Sequence, residues 1–179
     1  MTRLEKLLSQ YAAYHLNRKN VITHFIGIPL IVFSIMCLTA NISVDVGKYS
    51  ITLALVLITF IVLYYLSLDL IFGILSAILF TLFYPLACHI AEMQTSFWLV
   101  LSLSIFVVGW IFQFIGHFYE KKKPAFMDDV IGLAIGPLFV LAEFIFLFGF
   151  RTQLKDKVLF EARKQRAEMD KKSLALKEN

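Results

Sequence analysis

Five apolar runs, each close to the length a helix needs to cross a bilayer, leave this chain few ways to fold in water. They are Val21–Ala40, Ser50–Leu66, Leu70–Cys88, Phe97–Phe118 and Val130–Phe150. A transmembrane helix takes about 20 consecutive, mostly apolar residues. Hydrophobic residues make up 59% of the 179, against about 45–50% in an ordinary soluble domain. Mean hydropathy is +0.77. The expected fold is therefore all-α, a polytopic membrane helical bundle with about four to five apolar segments. No stretch reads as a long soluble domain. Residues 1–153 read as one membrane-embedded catalytic domain and 154–179 as a charged helical tail.

The N-terminal stretch "MTRLEKLLSQYAAYHLNRKN" lacks an apolar core followed by a small-residue cleavage site, so a removable signal peptide is not expected. Leu4, Leu7, Leu8 and Tyr11 recur at helical spacing instead, the pattern of an amphipathic helix on the membrane surface or on the bundle. Cys37 and Cys88 fall inside apolar segments, with neither the number nor the spacing of a disulfide scaffold or zinc knuckle. The net charge of +4 has one origin: from Arg151 onward there are nine basic and five acidic residues, whereas eight of each precede it. Charges in that tail alternate in sign at helical intervals. That pattern indicates a solvated helix beside anionic headgroups on the cytoplasmic face, and no nucleic-acid partner is expected.

Basic residues near segment ends favour the cytoplasm. Arg18 and Lys19 precede the first segment, Lys121–Lys123 follow the fourth, and the tail follows the fifth. Four crossings keep all three clusters on one side, while a fifth would export the tail. One segment is thus expected to be kinked or re-entrant. The first and fifth segments share a Gly-Pro-Leu theme, at Pro29 and Pro137, and proline removes a helical hydrogen bond. The fifth also carries Glu143, a carboxylate that at such depth must face the bundle interior.

The four histidines, His15, His24, His89 and His117, each lie near the end of an apolar segment. Neutral imidazole is the commonest metal ligand, and carboxylates often complete such sites. Glu92 follows His89 by three residues and Glu120 follows His117 by three, so each pair shares a helix face. Glu92, Glu120 and Glu143 are accordingly candidate supporting acids. His15 and His24, nine residues apart, would point to opposite sides of one continuous helix. They converge only if the chain bends between them, and "LNRKN", residues 16–20, is a suitable place. His15, His24 and His117 then agree in depth. Counting crossings leaves His89 at the far end of the third segment, unless Pro85 bends that segment back or a boundary is misplaced.

"YAAYHLNRKNVITHFIGIPL" near the start, "GWIFQFIGHFYEKKKPAFMDD" further on and "PLFVLAEF" in the fifth segment together resemble the 2-hydroxy fatty acid dioxygenases of the yeast endoplasmic-reticulum type. The resemblance runs to about residue 153. It implies an Fe(II)-dependent membrane enzyme that shortens long-chain 2-hydroxy fatty acids by one carbon in α-oxidation, with molecular oxygen. It carries the family's histidine motifs onto His15, His24 and His117, matches His89 within "LACHIAE", and matches Glu120 and Glu143. Catalytic and metal residues are thus expected to be these four histidines, with Fe(II) as cofactor. A 2-hydroxy acid offers a carboxylate and a hydroxyl oxygen to such a metal, and its acyl chain can remain among the apolar segments. A haem-binding electron-transfer protein and a non-catalytic lipid-binding membrane protein are the competing readings. The host membrane is a bacterial inner membrane or the endoplasmic reticulum, with both termini cytoplasmic.

Overall fold

The computed structural model describes residues 1–122 and 131–175; residues 123–130, with Lys123 and Val130 at their ends, and the tail residues 176–179 lie outside it. The described residues form α1 (Arg3–Ala12), α2 (Arg18–Ala40), β1 (Ser43–Val46), β2 (Tyr49–Thr52), α3 (Leu53–Leu68), α4 (Leu70–Ala91), α5 (Thr95–Glu120), α6 (Ile131–Leu147) and α7 (Thr152–Ala175). The architecture is helical, as expected, with one small hairpin. α2, α4 and α5 are long and apolar enough to cross a membrane, while α3 and α6 are shorter apolar helices. All three prolines noted above, Pro29, Pro85 and Pro137, lie inside helices that continue past them.

Two compact units emerge, His24–Phe114 and the pair Met1–Thr23 with Ile115 onward.

In the His24–Phe114 unit, α2 and α5 approach at two glycines. A Cβ on Gly27 would lie 2.7 Å from the Gly109 carbonyl oxygen, and one on Gly109 would lie 2.9 Å from the Gly27 carbonyl oxygen. Only glycine permits backbones that close. Further along, Trp98 Nε1 donates to the Cys37 carbonyl at 2.9 Å, beside a core of Met36, Cys37, Ala87 and Ile90. Asp69 alone separates α3 from α4. Its extended backbone stops α3, and its Oδ1 accepts from the Ile71 and Phe72 amides at 3.1 Å, capping α4. Gly73 then lets α4 fold tightly against Leu66.

The apolar run beginning at Ser50 departs from a continuous helix. Its first residues, Ser50–Thr52, belong to β2, which pairs antiparallel with β1 from Ser43↔Thr52 to Val46↔Tyr49. Gly47, with φ +65°, opens the two-residue turn, where hairpin geometry calls for left-handed backbone. β-Branched Val44, Val46 and Ile51 suit these strands better than a helix.

In the other unit, a capping box starts α1: the Glu5 amide donates to Thr2 Oγ1 at 3.1 Å and the Thr2 amide to Glu5 Oε2 at 2.7 Å. Of the residues at amphipathic spacing, Leu4, Leu8 and Tyr11 on α1 are buried and Leu7 is half-buried; Ala12 is buried beside them. α1 packs on α6 and α7. The tail is helical, yet not wholly solvated: Leu154, Val158 and Ala162 are buried, and Lys157 pairs with Glu5 at 3.3 Å. Gly149 (φ +77°) and Arg151 (φ +55°) make the turn from α6 into α7. Asp170, near the end of α7, then meets Lys122, just past α5, at 2.6 Å.

Candidate metal centre

α1 ends at its cap, Ala13, and the chain turns tightly. The Tyr14 amide donates to the Tyr11 carbonyl and the His15 amide to the Ala12 carbonyl. Asn17 then starts α2, its Oδ1 accepting from the Lys19 amide at 2.9 Å. The bend expected at residues 16–20 is present but falls earlier, at residues 13–17, because Arg18–Asn20 already belong to α2. It brings together what one straight helix would hold apart.

His15, His24 and His117 each offer a ring nitrogen, and the three nitrogens lie within 4.8 Å of one another. All three rings are buried, at 3%, 0% and 8% exposure. Points at most 4.8 Å apart fit a circle of radius at most about 2.8 Å (4.8/√3). Each ring then needs to move by less than about 1 Å to reach a metal–imidazole bond of about 2.1 Å. Three neutral nitrogen donors, buried and convergent, fit a first-row transition metal with coordination positions to spare.

The surroundings orient these rings. His15 Nδ1 lies 2.7 Å from the Tyr11 carbonyl. A carbonyl only accepts, so Nδ1 carries the proton and Nε2 presents its lone pair. Tyr11 also stacks on the His15 ring, with centroids 4.1 Å apart and planes 6° apart. Burial raises the Tyr11 phenol above its ordinary pKa, so the stacked ring stays neutral. Phe139 of α6 closes a further side, 5.6 Å from His15 and 4.9 Å from Tyr11. His15 and His117 meet nearly edge-on at 5.1 Å.

The other sequence candidates sit elsewhere. His89 is exposed near the C-terminal end of α4, and Glu92 is the exposed C-cap of that helix. Glu143 is half-buried on α6. Among the described residues the cluster contains no carboxylate and no fourth histidine. Glu120 is buried, and its carboxylate serves the chain around His15. Oε2 accepts from the Asn17 amide at 2.8 Å and from Asn20 Nδ2 at 3.1 Å, while Oε1 accepts from Arg166 Nη1 at 2.7 Å. Tyr11, Phe139 and Arg166 are the neighbours that sequence reasoning missed. Tyr11 had a usable signal, an aromatic ring one helical turn before a histidine; Phe139 and Arg166 are distant in sequence and had none.

Residues 1–148 match the family described as Mpo1-like, 2-hydroxy-palmitic acid dioxygenase Mpo1-like. The chain is also 35% identical over 154 residues to the 2-hydroxy-palmitic acid dioxygenase MPO1 of Saccharomyces cerevisiae, covering 85% of either chain. No solved structure matches.

Proposed function

Because this chain belongs to the Mpo1-like 2-hydroxy-palmitic acid dioxygenase family, we propose that it is an Fe(II)-dependent membrane enzyme that shortens long-chain 2-hydroxy fatty acids by one carbon, using molecular oxygen. The observation that carries this reading is the buried convergence of His15, His24 and His117, which we assign as the iron ligands. His89 stands apart from that cluster, and the proposed ligand set is therefore three histidines.

Bound iron would supply the redox chemistry that lets oxygen react with the 2-hydroxy acid. The chain's own part is holding and shielding. The Tyr11 carbonyl keeps the His15 proton on Nδ1, so the opposite nitrogen faces the cluster. Tyr11 and Phe139 wall the His15 ring with aromatic surface and keep water from that side. α2 and α5 carry His24 and His117 near their polar ends, so a substrate head group can reach the histidines while its acyl chain stays beside apolar helix surface. The stoichiometry closes without another reductant: 2-hydroxy acid and O₂ yield the acid one carbon shorter, carbon dioxide and water. We further propose that four apolar helices, α2 to α5, cross the membrane and that both termini face the cytoplasm. α6 packs beside the amphipathic α1, and α7 ends beside Lys122. That arrangement supports a non-crossing fifth segment.

The test combines metal analysis with product analysis. Iron-loaded protein in detergent should convert a long-chain 2-hydroxy acid to the acid one carbon shorter in air and not under argon. His24→Ala and His117→Ala should lose bound iron and activity together. Full iron occupancy in both variants, or turnover without oxygen, would sink the proposal.

A further inference from the structure

Beyond residue 148, where the family match ends, α7 returns to the site. We propose that Arg166 of α7 is a positioning residue that holds the His15-bearing turn in place through Glu120 and the Ala13 carbonyl. The inference rests on the metal reading above.

His24 and His117 ride on long helices, which set their positions. His15 lies on a turn, so its position depends on whatever ties that turn down. The ties are specific. Arg166 Nη1 donates to the Ala13 carbonyl at 3.0 Å and to Glu120 Oε1 at 2.7 Å, and Nη2 reaches the Glu120 carbonyl at 3.4 Å. The second Glu120 oxygen takes the Asn17 amide and Asn20 Nδ2, and Asn20 Nδ2 also lies 3.3 Å from the Tyr14 carbonyl. Ala13, Tyr14 and Asn17 flank His15 on both sides. One carboxylate and one guanidinium thus clamp both flanks of His15 to the end of the helix carrying His117.

The residue types follow from the burial. The Glu120 side chain is 3% exposed, and an unpaired carboxylate there would be costly. Only the planar, multi-donor fork of arginine serves a carboxylate and a neighbouring carbonyl at once; lysine offers a single point of charge. Arg166 is itself aimed by Asp170, 3.4 Å from its Nε, and Asp170 is held by Lys122. Removing a group that orients a metal ligand typically weakens metal binding about 10- to 100-fold, and Arg166 acts through such groups.

The full-length protein in detergent should be titrated with Co(II), read by its visible d–d spectrum and by competition with a chelating dye. Arg166→Ala should bind cobalt about tenfold more weakly, with a spectrum shifted toward fewer nitrogen ligands. Low-millimolar guanidinium should restore both. Arg166→Lys, which keeps the charge beside Glu120 and so preserves folding, should fall between. Lys157→Ala, which breaks a contact of α7 with Glu5 instead, should match the unsubstituted protein. Wild-type affinity and spectrum in both Arg166→Ala and Arg166→Lys would overturn this inference alone. Failure of the unsubstituted protein to bind cobalt, or unchanged binding in His24→Ala, would overturn the metal reading and this inference with it.

Discussion

The paired glycines on α2 and α5 offer the sharpest quantitative test of how these two helices pack. In Gly109→Ala the new Cβ would meet Ile31 Cγ1 at 2.7 Å and the Gly27 carbonyl oxygen at 2.9 Å. In Gly27→Ala it would meet Gln113 Nε2 at 2.6 Å and the Gly109 carbonyl oxygen at 2.7 Å. Ile31 and Gln113 can swing, but helix carbonyls cannot. Ordinary contact begins near 3.4 Å, so the helices must part by about 0.5–0.7 Å at this crossing. Overpacking of that kind costs about 1–3 kcal/mol; we expect about 2 for each variant, roughly a 30-fold shift of the folding equilibrium. Because one separation relieves both clashes, the double variant should cost clearly less than the sum of the singles. Unfolding in mixed detergent–SDS micelles, followed by Trp98 and Trp110 fluorescence, would measure all three. Singles within about 0.5 kcal/mol of the unsubstituted protein, or a double that costs the full sum, would refute the close-crossing argument. Gly27 lies one helical turn beyond His24, so the same variants should also bind metal more weakly.

Four further outcomes are expected. Unhydroxylated and 3-hydroxy acids of equal length should remain unconverted while the 2-hydroxy acid is shortened; mass spectrometry of competing substrates checks this. His89→Ala should retain its iron by elemental analysis, whereas His15→Ala should lose it. In a protein whose native cysteines are replaced, a cysteine at Lys172 should react with an impermeant reagent only after permeabilisation; ready labelling of intact cells would place the tail outside. The last concerns acid. Glu5 is held below its usual pKa by the Thr2 amide and then by Lys157, and Asp170 by Lys122 and then Arg166. Depressed carboxylates contribute stability that is complete above their unfolded values, about pH 4, and fades as pH falls through the lower native ones. Thermal stability should therefore decline below about pH 4–5, and the decline should be shallower in Lys122→Ala and Lys157→Ala.

Much of the site was legible because its determinants are local. The helical spacing of Leu4, Leu8 and Tyr11, the polar break before α2, and histidines at segment ends are each visible within a turn or two of chain, and all reappear in the structure. Charge bookkeeping along the segments asked only that one of the five not cross, and Pro137 with Glu143 singled out the fifth. What escaped the sequence depends on partners distant along the chain. Glu120 looked like a candidate ligand because it shares a helix face with His117; its lone pairs instead go to Asn17, Asn20 and Arg166, the last 46 residues away. The glycine crossing joins positions 82 apart, which no periodicity reveals. At Ser50–Thr52 hydrophobicity alone was misleading, since apolar content cannot separate a strand from the start of a helix.

The brevity of α3 bears on the kind of bilayer that suits this protein. Its 16 residues span about 24 Å at 1.5 Å per residue, short of a hydrocarbon layer of about 30 Å. α4, with 22 residues, has no such shortfall, and a one-residue connector prevents either helix from sliding along the other. Under the proposed crossing of α3, the lipid beside it would have to thin to meet it, at a cost of a fraction of a kcal/mol per ångström. Membranes about 27 Å thick, like that of the endoplasmic reticulum, accommodate α3 with little distortion, whereas sterol-rich ones of about 32–33 Å do not. With α3 crossing as proposed, the length mismatch of a single helix would bias the protein toward thinner membranes.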